Sequence, residues 1–247
     1  MKLWRKWLEK LKQVDRERGY VCDACGAELF DYPQHRLCGE CEAKLLKTGD
    51  KFCDKCGRRT RAEGVCLTCK SHAPKFTKGF SLFPYLGTAA KLVNRMKNGS
   101  PRLALYFGEK SAEYLLSKTT ENEFLIVPVP TTEKRLKARG YNQAEELAKS
   151  VSCALEMAGK SVVLDSDVLQ RTRENAAQKN LGFADRAKNI AGAFHLHKRK
   201  LVKDKTVLLI DDIMTTSATG SACAELIVNA GATAVYFLTV AATPELK

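Results

Sequence analysis

The sequence predicts an α/β protein in which helices flank a mostly parallel sheet, with a small cysteine-rich domain ahead of it. Three observations carry this reading. Eight of the ten cysteines form four Cys-x-x-Cys pairs, all before residue 70. Beyond residue 75, short β-branched runs alternate with helical patterns. The runs Phe124–Val127, Val207–Ile210 and Ala234–Val240 are nearly continuously apolar, as strands buried on both faces are.

Composition sets the limits. The chain has 247 residues, 45% hydrophobic and 28% charged, which is ordinary globular composition with enough length to bury a core. No apolar run approaches the ~18 residues that a membrane span needs. The N-terminus lacks the apolar core of a secretory signal, so a cytoplasmic protein is expected. Lys and Arg number 41 against 28 Asp and Glu, a formal charge of +13. Such a surplus favours polyanionic partners: phosphates, nucleotides, nucleic acid or an acidic membrane surface.

Three segments follow in order. Residues 1–19 place Leu3, Trp4, Trp7, Leu8, Leu11 and Val14 at three- and four-residue steps, an amphipathic helix with a basic far side. Packing onto the rest of the protein is the plain role for it; contact with a membrane surface or a partner is the other. Residues 20–75 hold the cysteine pairs, with the boundary falling within 73–80. Residues 76–247 are expected to form the α/β domain. Its helices are read at about 88–98, 102–117, 142–158 and 219–230. Its strands are read at 123–129, 162–169, 206–211 and 234–241, with an irregular basic stretch over 170–190.

The cysteines point to metal. Cys22/Cys25 and Cys38/Cys41 are separated by 12 residues, Cys53/Cys56 and Cys66/Cys69 by 9. Each set of four matches a tetrahedral structural zinc site, closed because the protein supplies every ligand. A Cys-x-x-Cys turn aims two thiolates at one ion, and Gly26 and Gly57 stand where such turns tolerate positive φ. Redox or iron–sulfur use of these cysteines is the competing reading. A segment this poor in apolar residues needs metal to fold. Eight thiolates and two Zn2+ leave the chain basic, at about +9. His35 and His72 read as bystanders. Cys153 and Cys223 read as small buried apolar residues.

The most informative stretch is Val207–Gly220. An apolar strand ends in adjacent carboxylates, Asp211 and Asp212, followed by the hydroxyl-rich loop Thr215, Thr216, Ser217, Ala218, Thr219 and a helix start. Ligands of open α/β sheets bind outside the carboxyl ends of strands. Helix N-terminal amides and hydroxyls there cradle a phosphate. The acids can accept hydrogen bonds from two ribose hydroxyls. Two further segments belong with it. The strand Phe124–Val129 runs into Thr131 and Thr132, then Arg135, Arg139 and the Gly140-Tyr141-Asn142-Gln143 turn, where Asn142 is expected to cap the next helix. The basic stretch Leu169–Gly182, with Arg171, Arg173 and Lys179, is long for a loop and has the character of a lid.

The Val207–Gly220 segment resembles the phosphoribosyl pyrophosphate (PRPP) signature of type I phosphoribosyltransferases. Many such loops carry Gly where Ser217 stands. Val-Pro-Val-Pro, Arg-Gly-Tyr-Asn-Gln, Arg-x-Arg with Gln178, Arg186 and Asn189, and the Asp-Asp/Thr-Thr loop, behind a double zinc ribbon, resemble the ComF family over roughly residues 20–240. Lys97 fits that family's hood region.

The resemblance implies a type I phosphoribosyltransferase-like sheet. It implies that Asp211 and Asp212 hold the ribose hydroxyls and that residues 215–219 wrap the 5-phosphate. It further implies that Thr131, Thr132, Arg135 and Arg139 hold pyrophosphate, and that Arg171, Arg173 and Lys179 act as a catalytic loop. Mg2+ would accompany PRPP, beside the two structural zincs. A role in DNA uptake during natural transformation is implied as well, with single-stranded DNA and the uptake machinery as partners. Two functional readings stand side by side. One is a phosphoribosyltransferase whose acceptor no residue identifies. The other is a non-catalytic DNA-binding or partner-recruiting adaptor that keeps the PRPP site as a regulatory pocket.

Overall fold

Alternation inside the apolar runs decides how the sheet is buried. In the strand Thr206–Met214, Leu208 and Ile210 join one hydrophobic cluster while Val207 and Leu209 join another. Successive side chains point to opposite faces, so both faces are covered. A computed structural model describes residues 21–29, 36–46, 51–172 and 192–245. The N-terminal helix expected over 1–19 lies outside them.

The elements are α1 (Gly39–Leu46), α2 (Leu67–Ser71), β1 (Lys78–Pro84), α3 (Gly87–Lys97), α4 (Leu103–Leu116), β2 (Glu123–Pro128), α5 (Glu133–Arg139), α6 (Gln143–Met157), β3 (Ser161–Leu164), β4 (Leu169–Arg171), β5 (Phe194–Leu196), α7 (Arg199–Val202), β6 (Thr206–Met214), α8 (Ala218–Val228) and β7 (Ala234–Ala242). Five strands form a parallel sheet in the order β1-β7-β6-β2-β3. The predicted parallel α/β sheet is borne out.

One face carries Phe80, Phe124, Ile126, Leu208, Ile210 and Leu238 under α3, α4 and α6. Helices α4 and α6 approach closely because Gly108 has no side chain: a Cβ there would overlap Ser150, whose hydroxyl donates to the Leu105 carbonyl at 3.1 Å. The other face carries Leu125, Val127, Val207, Leu209 and Phe237, covered by α8 and the β4–β5 hairpin.

The cysteine segment divides between these faces. Cys22, Leu37, Cys41 and Leu45 belong to the cluster under α3 and α4. Tyr106 of α4 donates to Glu42 Oε1 at 3.1 Å, and Arg95 of α3 donates to the Asp23 carbonyl. Cys53, Cys56, Cys66, Cys69 and Phe76 belong to the opposite cluster, with Phe76 5.2 Å from Phe237 centre to centre.

Several local expectations change, and β5 and α7 have no counterpart in the sequence reading. Strand β1 and helix α5 were not predicted; β1 mixes Gly, Ser and Pro into its apolar pattern, and α5 buries no residue. The strand read at 162–169 is two elements. β3 stops at Leu164, Asp165 accepts the Asp167 amide at 2.9 Å in a turn, and β4 then starts a separate hairpin. Strand β6 runs to Met214, so the two acids lie inside it, because parallel pairing to β7 continues to Ala242.

Candidate ligand cleft and cysteine centres

Strand β6 delivers Asp211 and Asp212 to a cleft of about 420 Å3 at the carboxyl end of the sheet. Tyr85, Lys97, Thr131, Arg135, Arg139, Asn142, Gln143, Arg171, Thr215 and Thr219 line it too. The Asp212 amide donates to Asp211 Oδ1 at 2.9 Å, which fixes the Asp211 carboxyl against its own strand. Burial, then the Asp212 charge, pushes the Asp211 carboxyl up to about 8, with the Lys97 ammonium opposing them.

Lys97 reaches the acids from the end of α3. Its Nζ lies 3.2 Å from Asp212 Oδ2, outside hydrogen-bond geometry, so the pair is ionic without a directed hydrogen bond. Tyr141 fixes the end of that helix. Its hydroxyl donates to the Met96 carbonyl and accepts the Gly99 amide at 3.2 Å. That is the structural work of the Arg-Gly-Tyr-Asn-Gln motif. Asn142 caps α6 as expected, accepting the Ala144 amide at 3.2 Å while its Nδ2 donates to the Val129 carbonyl.

Two buried side-chain atoms among the described residues have no hydrogen-bond partner: Asp212 Oδ2 and Gln143 Oε1. Both residues line this cleft. Buried polar groups are nearly always satisfied, so two acceptors without a hydrogen bond in one cleft single it out as the candidate ligand site. A second cleft of about 430 Å3 lies at the amino ends of the strands, lined by Thr120–Leu125, Ser161 and Thr206. Neither orphan lies there.

The loop after β6 has an unusual backbone. Ser217 adopts the left-handed conformation, φ +59°, which costs a non-glycine residue about 1–2 kcal/mol. Its hydroxyl donates to the Thr216 carbonyl at 2.6 Å, so it does not cap α8. The first-turn amides of α8 therefore have no side-chain cap, which suits an anion. Cys223 sits behind, fully buried, its thiol pushed up by burial and by Asp211.

The expected site residues fall into three groups. Asp211, Asp212, Thr215, Thr219, Thr131, Arg135, Arg139 and Arg171 share the cleft lining. Arg135 and Arg139 meet there because they stand four apart on α5. Thr132 is buried and its hydroxyl accepts the Arg135 amide at 3.3 Å as the α5 cap, while Thr216, Ser217 and Ala218 are not among the residues that line the cleft. Arg173 and Lys179 lie outside the described residues. Tyr85, which the sequence groups with Phe52, Phe76, Phe80 and Phe83 as boundary aromatics serving the core, lines the cleft instead; it follows β1, which the pattern did not reveal.

The cysteines form two groups of four, Cys22/Cys25/Cys38/Cys41 and Cys53/Cys56/Cys66/Cys69, each with its sulfurs within 4.8 Å of one another. Cys22 Sγ accepts the Ala24 and Cys38 amides at 3.4 and 3.3 Å, and Cys53 Sγ the Cys56 and Cys66 amides at 3.5 and 3.3 Å. Such bonds favour thiolates, and four clustered sulfurs fit Zn2+. Gly26 and Gly57 take φ of +79° and +71°, as the knuckle turns require. The first group opens to solvent at Cys25; the second is wholly buried.

Comparison with known proteins agrees with this geometry. The phosphoribosyl transferase domain model matches residues 112–247. The chain is 27% identical to "DNA utilization protein YhgH" of Escherichia coli strain K12, over 81% of this chain and 87% of that one. It is 26% identical to "Competence protein F" of Haemophilus influenzae over the same shares, and 22% identical to "Competence protein ComFC" of Bacillus subtilis over 76% and 75%. Domain, cysteine groups and relatives together make the chain a member of the phosphoribosyl transferase domain family, of the ComF type.

Proposed function

We propose that the cleft binds PRPP with Mg2+. The observation that carries the reading is the pair of orphaned acceptors, Asp212 Oδ2 and Gln143 Oε1, in a cleft that also holds four cationic side chains. Asp211 and Asp212 accept hydrogen bonds from the ribose diol. Loop 215–219 and the α8 amides hold the 5-phosphate. Thr131, Arg135 and Arg139 face the pyrophosphate, and Arg171 approaches from the hairpin. Asp211 and Asp212 are the residues that would hold Mg2+, which would supply charge neutralisation to the diphosphate.

Where an acceptor nucleophile is supplied, its lone pair forms the bond to ribose C1 and the C1–O bond breaks. The electron pair leaves with pyrophosphate. The chain contributes position and charge to that step rather than covalent chemistry. The relatives' names speak of competence and DNA utilisation; we propose a role of that kind for this chain, in the cytoplasm. Calorimetric titration with PRPP and Mg2+ tests the site: the wild type binds, and Asp211→Asn/Asp212→Asn loses at least tenfold. A folded wild type that gives no binding heat would overturn the reading.

A second reading has its own observation. Helix α5 is exposed, buries nothing, and carries Lys134, Arg135, Lys137 and Arg139 beside the cleft. Such a helix suits a nucleic-acid backbone. Under this reading a labelled single-stranded oligonucleotide binds with an affinity that falls steeply with salt, and Lys134→Glu/Lys137→Glu weakens it without changing PRPP binding.

A further inference from the structure

Arg58 stands between a cysteine centre and the phosphate loop. It is 6% exposed. Its Nε donates to Cys56 Sγ at 3.3 Å, and its Nη2 donates to the Thr215 carbonyl at 2.9 Å. One planar guanidinium thus touches a sulfur of the second four-cysteine group and the first residue of the loop that follows the acids. We propose that Arg58 is a positioning residue for the phosphate loop, and that it couples metal binding at Cys53/Cys56/Cys66/Cys69 to PRPP binding 157 residues further along the chain. The proposal rests on the PRPP reading of the cleft.

Both ends of the link are rigid. On the metal side, Arg58 follows the Cys53–Cys56 knuckle directly. Gly57 donates its amide to the Cys53 carbonyl at 2.8 Å, and the Arg58 carbonyl accepts the Cys53 amide at 2.8 Å. The knuckle is pressed onto β1 so closely that a Cβ on Gly57 would lie 2.5 Å from the Gly79 carbonyl oxygen. A Cβ on Gly79 would lie 2.5 Å from the Cys56 oxygen. Metal holds the knuckle, and the knuckle holds Arg58. A Zn2+ with four thiolates carries a net negative charge, which a buried guanidinium offsets through a charge-assisted bond.

On the loop side, a trans peptide sends its C=O and the following N–H in opposite directions. Drawing the Thr215 carbonyl toward the cysteine centre therefore turns the Thr216 N–H away from it. The same loop keeps Ser217 in the left-handed region at an energetic cost. A strained conformation persists when its surroundings hold it, and Arg58 is the hold two residues before the strain. If the cysteine centre loses its metal, the knuckle loosens, the Arg58 fork is released and the loop relaxes from its phosphate-binding form.

Linkage makes the proposal quantitative: whatever factor the metal contributes to PRPP affinity, PRPP returns to metal affinity. The test measures both in the full-length, zinc-loaded chain. Calorimetry with PRPP and Mg2+ is run on the wild type, Arg58→Met and Arg58→Lys, with bound zinc counted for each. Equilibrium competition against a chromophoric chelator then measures zinc affinity with and without PRPP. Arg58→Met is expected to keep two zincs and weaken PRPP at least tenfold. Arg58→Lys keeps a charge but cannot span both acceptors, and should lie between. In the wild type PRPP should tighten one of the two zincs severalfold, and in Arg58→Met neither.

Wild-type PRPP affinity in a zinc-replete Arg58→Met, or zinc affinities indifferent to PRPP in the wild type, overturns the coupling while leaving the cleft's function intact. A wild type that does not bind PRPP overturns both. Should Arg58→Met fail to fold, the chelator competition on the wild type decides alone.

Discussion

The Lys97 ammonium lies 3.2 Å from Asp212 Oδ2 and so faces the two adjacent acids. It holds Asp211 back from a still higher proton affinity. PRPP affinity is expected to rise with pH as Asp211 ionises; Lys97→Met should move that rise to higher pH and weaken binding at pH 7.5 by about tenfold, the equivalent of ~1.4 kcal/mol. Titrations between pH 6.5 and 9.5 check it. An unchanged profile would mean that the acids ionise independently of Lys97.

Tyr141 acts on the same pair from a distance. Its phenol serves both Met96 and Gly99 at the end of α3. Tyr141→Phe removes both bonds and should cost about 1–2 kcal/mol of stability. Thermal unfolding should show Tm lower by roughly 2–8 °C. PRPP affinity should fall as well, and the further replacement Lys97→Met should add less than it does alone, since the two act through one contact.

Asp211 sets a conflict between stability and binding. Its folded pKa of about 8 lies above the ordinary 3.8, so the native state holds an extra proton between those values. Stability therefore falls as pH rises through that window. Asp211→Asn cannot ionise and escapes the fall. It should match the wild type in Tm near pH 4 and exceed it at pH 8.5, while PRPP affinity drops at least tenfold. A variant less stable than the wild type at pH 8.5 would count against buried charge as the cause.

Ser217 occupies a conformation that glycine accepts without steric penalty. Ser217→Gly should keep PRPP affinity within about threefold and raise Tm by roughly 2 °C, from relief of ~1 kcal/mol of strain. Ser217→Val, β-branched at the same φ, should lower both Tm and affinity. Equal behaviour of the two variants would show that the loop does not depend on this residue's backbone.

The strength of each signal explains what could be read from the amino acids. The acids, the Thr-rich loop and the Cys-x-x-Cys pairs are contiguous in sequence, so adjacency alone exposes them. Asn142 is legible as a cap because capping is local. Strand β1 is not, because its identity as a strand comes from pairing with β7, more than 150 residues away. Helix α5 buries nothing and so leaves no hydrophobic period. Neither Tyr85 in the cleft nor Arg58 on Thr215 has a neighbour in sequence to announce its role. The division of the cysteines between opposite faces is also invisible, since the spacings within the two groups look alike and only packing separates them.

The sheet order has a consequence for how the protein is made. Strand β7 lies between β1 and β6, so β1 gains its neighbour only after residues 234–242 exist. The Glu245 carboxylate then accepts the Leu67 amide at 2.7 Å, and its own amide donates to the Arg59 carbonyl at 3.0 Å. Contacts so distant in sequence form late and slowly. A nascent chain therefore carries β1 unpaired on the ribosome through most of elongation. A translation product that stops short of Ala234 has every metal ligand and both acids, yet nothing to join β1 to the rest of the sheet.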